Sequence, residues 1–206
     1  MTLPLPENSR SLLADASSAR TTQEFNAEER RMLLGLAHES IESAFENREI
    51  SLDPPSPHLA EPRGAFTTIY LHAELRGCVG YIFPVASVYR TVAETARAAA
   101  FEDTRFWPVT RDEAPGLRVS LSILSLPEPI QPEQVEVGRH GLLVSQHGQR
   151  GLLLPQVPIE HQWSRETFLT QTCRKAGLPP DAWQKGATLE AFTAEVFSDC
   201  DRNPER

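Results

Sequence analysis

Apolar residues three and four positions apart predict three amphipathic helices. The first starts after Asn26, which forms a capping-box pattern with Glu29, and its apolar face consists of Leu33, Leu36, Ala37, Ile41, Ala44 and Phe45. The second spans residues 85–100 and ends in alanines, which allow a helix to approach a sheet closely. The third starts after Ser164 and stops at the Gly-Leu-Pro sequence of residues 177–179.

Alternating apolar and polar residues predict strands between these helices. Residues 66–72 are rich in Thr, Ile, Tyr and Phe, and a tight return at residues 73–74 would pair them with residues 75–80 as a hairpin. The alternation is clearest at residues 117–123. Further strands are predicted at residues 135–137, 142–145, 151–154 and 192–196.

Three segments are predicted to lie outside these elements. Residues 53–62 contain four prolines, which remove backbone donors, so they form a loop. Residues 1–24 are interpreted as a flexible lead-in and residues 200–206 as a short tail. The remaining residues 25–199 form one α+β domain, because hairpins interrupted by separate helices favour a mostly antiparallel sheet with flanking helices.

Composition and charge narrow the class of protein. The chain has 206 residues, of which 40% are hydrophobic and 23% charged, values typical of a globular domain. Its net charge of −8 opposes binding to nucleic acid, which depends on Lys and Arg replacing counterions. The sequence contains no membrane-spanning apolar run and no secretory signal pattern, and its three cysteines are too widely spaced for a disulfide framework. We therefore expect a cytoplasmic protein with reduced thiols.

The Leu-Arg-Gly-Cys-Val-Gly sequence of residues 75–80 is the first candidate functional centre. Cys78 lies between Gly77 and Gly80, which leave the backbone open to another group. The positive charge of Arg76 favours a thiolate, and side-chain alternation along a strand would place Arg76 on the same face as Cys78. The alternative is structural, since free cysteine often packs as a small buried hydrophobe.

Two further stretches carry polar groups beside apolar ones. Asp103 and Arg105 adjoin Phe106 directly after the second helix. This pattern is typical either of a charged pair near a cleft or of a helix exit anchored by aromatic rings. Gln156 and Glu160 follow a strand that ends in Pro-Gln, and they would either bind a polar ligand or cap the third helix.

Known metal and cofactor motifs are absent from the sequence. Its six histidines form no His-Glu-x-x-His pair, and its cysteines form no Cys-x-x-Cys knuckle. There is no Walker loop, no Gly-x-Gly-x-x-Gly after a strand and no Gly-x-Ser-x-Gly elbow. We expect neither a metal ion nor a cofactor.

Five motifs in a fixed order resemble those of a known family. They are Leu-Arg-Gly-Cys-Val-Gly at residues 75–80, Asp-Thr-Arg-Phe at 103–106, Val-Gly-Arg-His-Gly at 137–141, Gly-Leu-Leu-Leu-Pro-Gln-Val at 151–157 and Lys-Ala-Gly-Leu at 175–178. With them, residues 27–198 resemble the AMMECR-type domain family, whose bacterial and archaeal members are called AmmeMemoRadiSam system protein A. Val79 stands where the family usually has isoleucine, and Thr104 where it usually has proline.

The resemblance implies properties that the residues alone do not. It implies an α+β fold of a larger and a smaller lobe, with the Leu-Arg-Gly-Cys turn in a cleft between them. It also implies association with a Memo-like protein and a radical S-adenosylmethionine protein. It does not imply a settled reaction.

Two functions stay open at this point. In the first, the protein is an enzyme or enzyme component that uses Cys78 on a small molecule or on a partner protein. Cys78, Arg76 and Asp103 are then the candidate catalytic residues, and the general base is missing unless the hairpin brings His72 near the thiol. In the second, the protein is a non-catalytic adaptor whose cleft holds a metabolite, a peptide or a partner. The candidate ligand-binding residues are Gly77, Gly80, Arg105, Phe106, Gln156 and Glu160.

Overall fold

A computed structural model describes residues 24–199 as four α-helices and eight strands. The helices are α1 (Ala27–Glu46), α2 (Val88–Phe101), α3 (Gln156–Glu160) and α4 (Arg165–Lys175). The strands are β1 (Ala65–Leu71), β2 (Glu74–Tyr81), β3 (Leu117–Leu124), β4 (Glu128–Pro129), β5 (Gly141–Gln146), β6 (Gln149–Leu153), β7 (Thr188–Phe192) and β8 (Ala194–Ser198). The predicted lead-in before Glu24 and the predicted tail, with Cys200, lie outside the described residues.

The strands form two sheets of four strands, and every pairing is antiparallel. The first sheet has the order β2-β1-β3-β8, and α1 and α2 pack on one of its faces. The second has the order β4-β7-β5-β6, and α4 packs against it. Each sheet has its own hydrophobic core. The predicted α+β fold with two lobes is therefore confirmed.

The first and third predicted helices form where their caps place them. The side chain of Asn26 accepts hydrogen bonds from the backbone N–H groups of Glu28 and Glu29, at 2.9 and 3.0 Å. The carboxylate of Glu29 accepts one in return from the N–H of Asn26, which completes the capping box. Ser164 caps α4 by accepting from the N–H of Thr167 at 3.2 Å.

The second helix and the hairpin turn differ from the prediction by a few residues. Ser87 caps α2 by accepting from the N–H of Arg90, so Val85 precedes the helix and is 80% exposed. The hairpin turn lies at His72 and Ala73, whose φ angles are both positive (51° and 66°), one residue earlier than predicted. Periodicity alone does not fix where a helix or turn begins, because caps and φ angles decide it.

Two strand predictions were wrong. Residues 135–137 form no strand, because the carbonyl of Glu136 accepts hydrogen bonds from Arg139 and His140 and so closes a local turn. Residues 192–196 are not one strand, because the chain leaves the second sheet after Phe192 and enters the first sheet as β8. In the sequence, apolar and polar residues alternate through Thr193, and this pattern does not reveal the change of sheet. The structure in fact buries Glu195 and exposes Val196, the reverse of what the pattern predicted.

The two sheets meet at a seam where the chain crosses between them twice. The crossings lie side by side, since Ser125 N–H donates to the carbonyl of Thr193 at 2.9 Å and Thr193 N–H donates to Ser125 Oγ at 3.0 Å. A groove of about 680 Å³ runs along this seam, lined among others by Leu126, Phe192 and His140. A further contact between the lobes places the guanidinium of Arg150 4.7 Å from the ring centre of Phe83.

Candidate functional site

Cys78 lies on β2, which is an edge strand of the first sheet, and its side chain points away from α2. The direction follows from its neighbour Gly77, which faces the carbonyl of Ala99 in α2. Cys78 pairs with Thr68, Thr68 with Ser120, and Ser120 with Ser198. The half-buried thiol is therefore the end of a row of hydroxyl side chains that crosses all four strands.

Two polar residues of β1 interact with the thiol. Thr68 Oγ1 donates a hydrogen bond to Cys78 Sγ at 3.3 Å. Tyr70 follows two residues along the same face of β1. Burial, together with the charge of Cys78, raises the pKa of Tyr70 above its usual value of 10.0. Tyr70 therefore keeps its proton at neutral pH and is a donor rather than a base. Sequence analysis missed both residues, since only the strand register brings them to Cys78.

The backbone of Cys78 is held by the loop that follows α2. Cys78 N–H donates to Asp103 Oδ2 at 2.9 Å, and the carbonyl of Cys78 accepts from Arg105 Nη2 at 3.3 Å. Two further hydrogen bonds, of 2.9 and 2.7 Å, join the guanidinium of Arg105 to the carboxylate of Asp103. The Arg105 hydrogen bonds, assisted by Cys78 N–H, lower the pKa of Asp103 to about 2. A carboxylate this acidic is a weak base at neutral pH, so Asp103 positions Cys78 rather than accepting its proton.

Arg76 occupies a β-bulge, where the pairing between β1 and β2 skips it. A bulge redirects a side chain, and the alternation that predicted Arg76 beside the thiol does not hold here. Its Nε and Nη2 donate to both carboxylate oxygens of Glu113, at 3.0 and 3.1 Å. Its Nη1 and Nη2 also donate to the carbonyls of Trp107 and Pro108. Arg76 therefore fixes the loop of residues 107–113 to β2, and its hydrogen bonds are the main reason that the pKa of Glu113 is about 2.

The two glycines of the motif accommodate packing within the protein. A Cβ at Gly77 would lie 2.1 Å from the carbonyl oxygen of Ala99, and one at Gly80 would lie 2.1 Å from the ring of Phe66. The open backbone predicted at these positions is thus filled by α2 on one face and by an aromatic ring on the other.

A shallow recess lies beside β2, and Arg105, Phe106 and Trp107 form one side of it. The indole of Trp107 is 87% exposed, and the guanidinium of Arg105 lies 5.5 Å from the ring centre of Phe106. The complete lining, which we call the Trp107 recess, consists of Arg76, Arg105, Phe106, Trp107, Pro108, Thr110 and Glu113.

The remaining candidates lie elsewhere. Gln156 and Glu160 are exposed on α3, and neither lines the Trp107 recess or the seam groove. His72 lies at the hairpin turn, four residues from Thr68 along β1, which corresponds to roughly 13 Å in a strand. It is therefore too far from Cys78 to act as its base. Cys173 is fully buried in the core of the second lobe, and burial raises its pKa.

One group of potential metal ligands lies outside this region. Ligand atoms of Glu24, His58 and Glu61 lie within 4.8 Å of one another. The Nη2 group of Arg63 donates to both Glu24 and Glu61, so a guanidinium already supplies the positive charge there. The group is explained as an ion-pair network that ties the start of α1 to the loop before β1.

Comparison with known proteins agrees with the five ordered motifs of the sequence. The AMMECR1 family model matches residues 34–197. The chain belongs to the AMMECR1 family. A protein from Thermococcus gammatolerans is 41% identical over 182 residues, which cover 81% of this chain and 88% of that protein. A protein from Aquifex aeolicus is 37% identical over 179 residues, which cover 82% and 92%.

A solved structure shares the fold of this AMMECR1-family chain. The crystal structure of protein PH0010 from Pyrococcus horikoshii matches it with a TM-score of 0.62 and 38% identity, over 81% of this chain and 89% of that one. The resemblance drawn from the five motifs is thus confirmed at the level of family and fold. Between residues 24 and 199, none of the helices has both the length and the apolar character needed to cross a membrane.

Proposed function

We propose that this AMMECR1-family domain is an enzyme or enzyme component that uses the thiol of Cys78 on a small molecule or on a partner protein. The observation that supports the proposal is that both backbone polar groups of Cys78 are bound by Asp103 and Arg105, while the side chain is half-exposed. A reactive group held this way keeps its geometry during a reaction.

The neighbours of the thiol have complementary roles in this proposal. Thr68 donates to sulfur and stabilises a thiolate, which is the nucleophilic form of cysteine. Tyr70 is a neutral phenol on the same face and can return a proton to a product. Arg105 supplies positive charge near the thiol, the role that sequence analysis gave to Arg76. Arg76 and Asp103 instead hold the site in place.

The reactivity of the thiol tests this proposal. We expect iodoacetamide to alkylate Cys78 much faster than the buried Cys173 in the folded protein, with sites and rates read by mass spectrometry. We also expect Thr68→Val, which removes the donor to sulfur, to slow alkylation of Cys78 at neutral pH by about three- to tenfold. Ser122→Ala is the matched control, because Ser122 lies on the same face of the sheet but pairs with Phe66. Equal rates in wild type and Thr68→Val would contradict an activated thiol.

The cellular setting of the proposal comes from the family resemblance. We propose that the domain works in the cytoplasm with a Memo-like protein and a radical S-adenosylmethionine protein. Cys78→Ala should abolish the function of the system in cells while leaving the free energy of unfolding within about 1 kcal/mol of wild type, because the side chain is small and half-exposed. A normal phenotype with Cys78→Ala would rule out the enzymatic role.

The second candidate function is an adaptor that binds a partner without chemistry. The exposed indole of Trp107 favours it, since tryptophan is enriched among residues that dominate protein interfaces. With purified Memo-like and radical S-adenosylmethionine proteins, an adaptor would lose affinity on Trp107→Ala and keep it on Cys78→Ser. Arg76→Ala does not discriminate the two functions, because Arg76 holds the loop itself.

A further inference from the structure

The Trp107 recess carries a net positive charge on its lining. It contains two guanidinium groups and one carboxylate, and Glu113 is bound bidentately by Arg76. The second guanidinium belongs to Arg105, whose partner Asp103 is not part of the lining and is only 8% exposed, against 43% for Arg105. The side of the Asp103–Arg105 pair that faces solvent is therefore the cation.

Arg105 also has hydrogen-bonding capacity that the fold does not use. Its Nε and Nη2 make the bonds to Asp103 and to the carbonyl of Cys78. Within residues 24–199, no hydrogen bond uses its Nη1 group. The N–H groups of Nη1 can donate to a ligand carboxylate, whose negative charge complements the guanidinium. Cys78 does not line the recess itself. Arg105 nevertheless touches the backbone carbonyl of Cys78, so a carboxylate bound to Arg105 would lie next to the residue that carries the thiol.

Trp107 adds an apolar surface to this cation. Its carbonyl is bound by Arg76 at 2.7 Å, so the backbone is fixed while the indole extends into solvent. Large aromatic side chains are usually well buried, and an exposed one on a fixed backbone is suited to stack on a flat ligand without a large loss of conformational entropy.

We propose that Arg105 and Trp107 form the recognition subsite for the substrate of Cys78, and that this substrate is a small electrophile that carries a carboxylate beside a flat, unsaturated group. Arg105 binds the carboxylate, and the indole of Trp107 packs on the flat group. This inference rests on the proposed function of Cys78 and adds the chemical class of its substrate.

Two alkylating agents of similar size, one with a carboxylate and one with a neutral amide, test the carboxylate. Iodoacetate and iodoacetamide both form a Sγ–C bond as iodide leaves with the C–I electron pair, but only iodoacetate is an anion. The quantity measured is the rate constant of iodoacetate divided by that of iodoacetamide at Cys78 in the folded protein, relative to the same ratio in the urea-unfolded chain. We call this quantity the iodoacetate enrichment. We expect this enrichment to be about tenfold, as for one charge-assisted hydrogen bond. It should fall as salt is added, because salt screens exposed charges.

Variants assign the enrichment to Arg105. Arg105→Gln should abolish it, and Arg105→Lys should keep a part of it. Arg111→Gln is the matched control, since Arg111 is exposed in the same loop but donates to the carbonyl of Phe45 in α1. An enrichment of one in wild type, or one insensitive to salt, would overturn the inference while leaving Cys78 reactive. If Cys78 reacts with neither reagent, the proposed function fails instead.

Protection experiments test Trp107 separately. Benzoate should protect Cys78 from iodoacetamide at concentrations about tenfold below those needed for acetate, because only benzoate has a flat group to stack on the indole. Trp107→Ala should remove this advantage and leave the iodoacetate enrichment intact. Equal protection by the two carboxylates in wild type would remove the aromatic part of the proposal.

Discussion

At the scale of single residues, Gly77 sets the distance between β2 and α2. The carbonyl oxygen of Ala99 occupies the place where a Cβ of residue 77 would lie, at 2.1 Å. This carbonyl belongs to backbone and cannot move without shifting the helix. Gly77 therefore lets α2 lie against the strand that carries Cys78, and the position of the thiol depends on it.

Gly77→Ala should lower the free energy of unfolding by ~1–3 kcal/mol, because the added methyl group would force the backbone of α2 away from β2. Gly35→Ala is the control, because Gly35 is exposed within α1 and a Cβ there meets nothing within 4 Å. This second change should stabilise the protein by ~0.5–1 kcal/mol, the usual helix preference for alanine over glycine. Urea unfolding gives the free energy of unfolding of both variants. An unchanged value for Gly77→Ala would contradict the tight packing of α2 against β2.

At the scale of elements, the loop after α2 covers the free edge of β2. An edge strand exposes unpaired backbone groups, and here Asp103 and Arg105 satisfy those of Cys78. Arg76 and Glu113 fix the continuation of the same loop. Arg76, Asp103 and Arg105, which sequence analysis considered for chemistry, thus mainly determine where the loop lies.

This attachment predicts a dependence of stability on pH. The folded pKa of Asp103, about 2, lies below its ordinary value of 3.8. The contribution of the Asp103 carboxylate to the free energy of unfolding is therefore complete above pH 3.8 and is lost as the pH falls towards 2. Asp103→Asn should lower the free energy of unfolding at pH 7 by ~1–3 kcal/mol and reduce its decrease between pH 5 and pH 2.

The control for this titration is Asp112→Asn, because Asp112 is exposed in the same loop. It should leave the stability at pH 7 within ~0.5 kcal/mol of wild type. Urea unfolding at a series of pH values gives the comparison. If the Asp103 and Asp112 variants had the same pH profile, the loop would not depend on the Asp103 carboxylate.

At the scale of the whole molecule, two lobes with separate cores are joined at the seam and at the Phe83–Arg150 contact. Phe83 lies two residues after the end of β2, so the contact connects the strand that carries Cys78 to β6 of the second lobe. A cation–π contact at an exposed site contributes about 0.5–1 kcal/mol, which is enough to influence how closely the lobes associate.

Arg150→Ala should therefore increase amide hydrogen exchange in residues 82–86 and in β6, while the buried strands β1 and β3 keep their protection. Arg139→Ala is the control, since Arg139 belongs to the same lobe and pairs with Glu136 in its own turn. Hydrogen exchange is measured by mass spectrometry. If Arg150→Ala and Arg139→Ala gave the same exchange pattern, the Phe83–Arg150 contact would not hold the lobes together.

The sequence by itself determined the elements that depend on near neighbours. The capping box of Asn26 and Glu29, the alternation of β3 and the left-handed Gly177 at the end of α4 all rest on residues a few positions apart. The motifs are also short stretches of sequence, and their order identified the family. They singled out Cys78, Asp103 and Arg105, which the fold brings together.

The tertiary structure alone decided everything that depends on register and on partners distant in sequence. The bulge at Arg76 turned its side chain towards Glu113, and the pairing of β1 with β2 brought Thr68 to the thiol. The same long-range pairing divided residues 192–196 between two sheets, and the fold left Gln156 outside the Trp107 recess. Periodicity shows which face of an element is apolar, but which strand lies beside it depends on contacts across the whole chain.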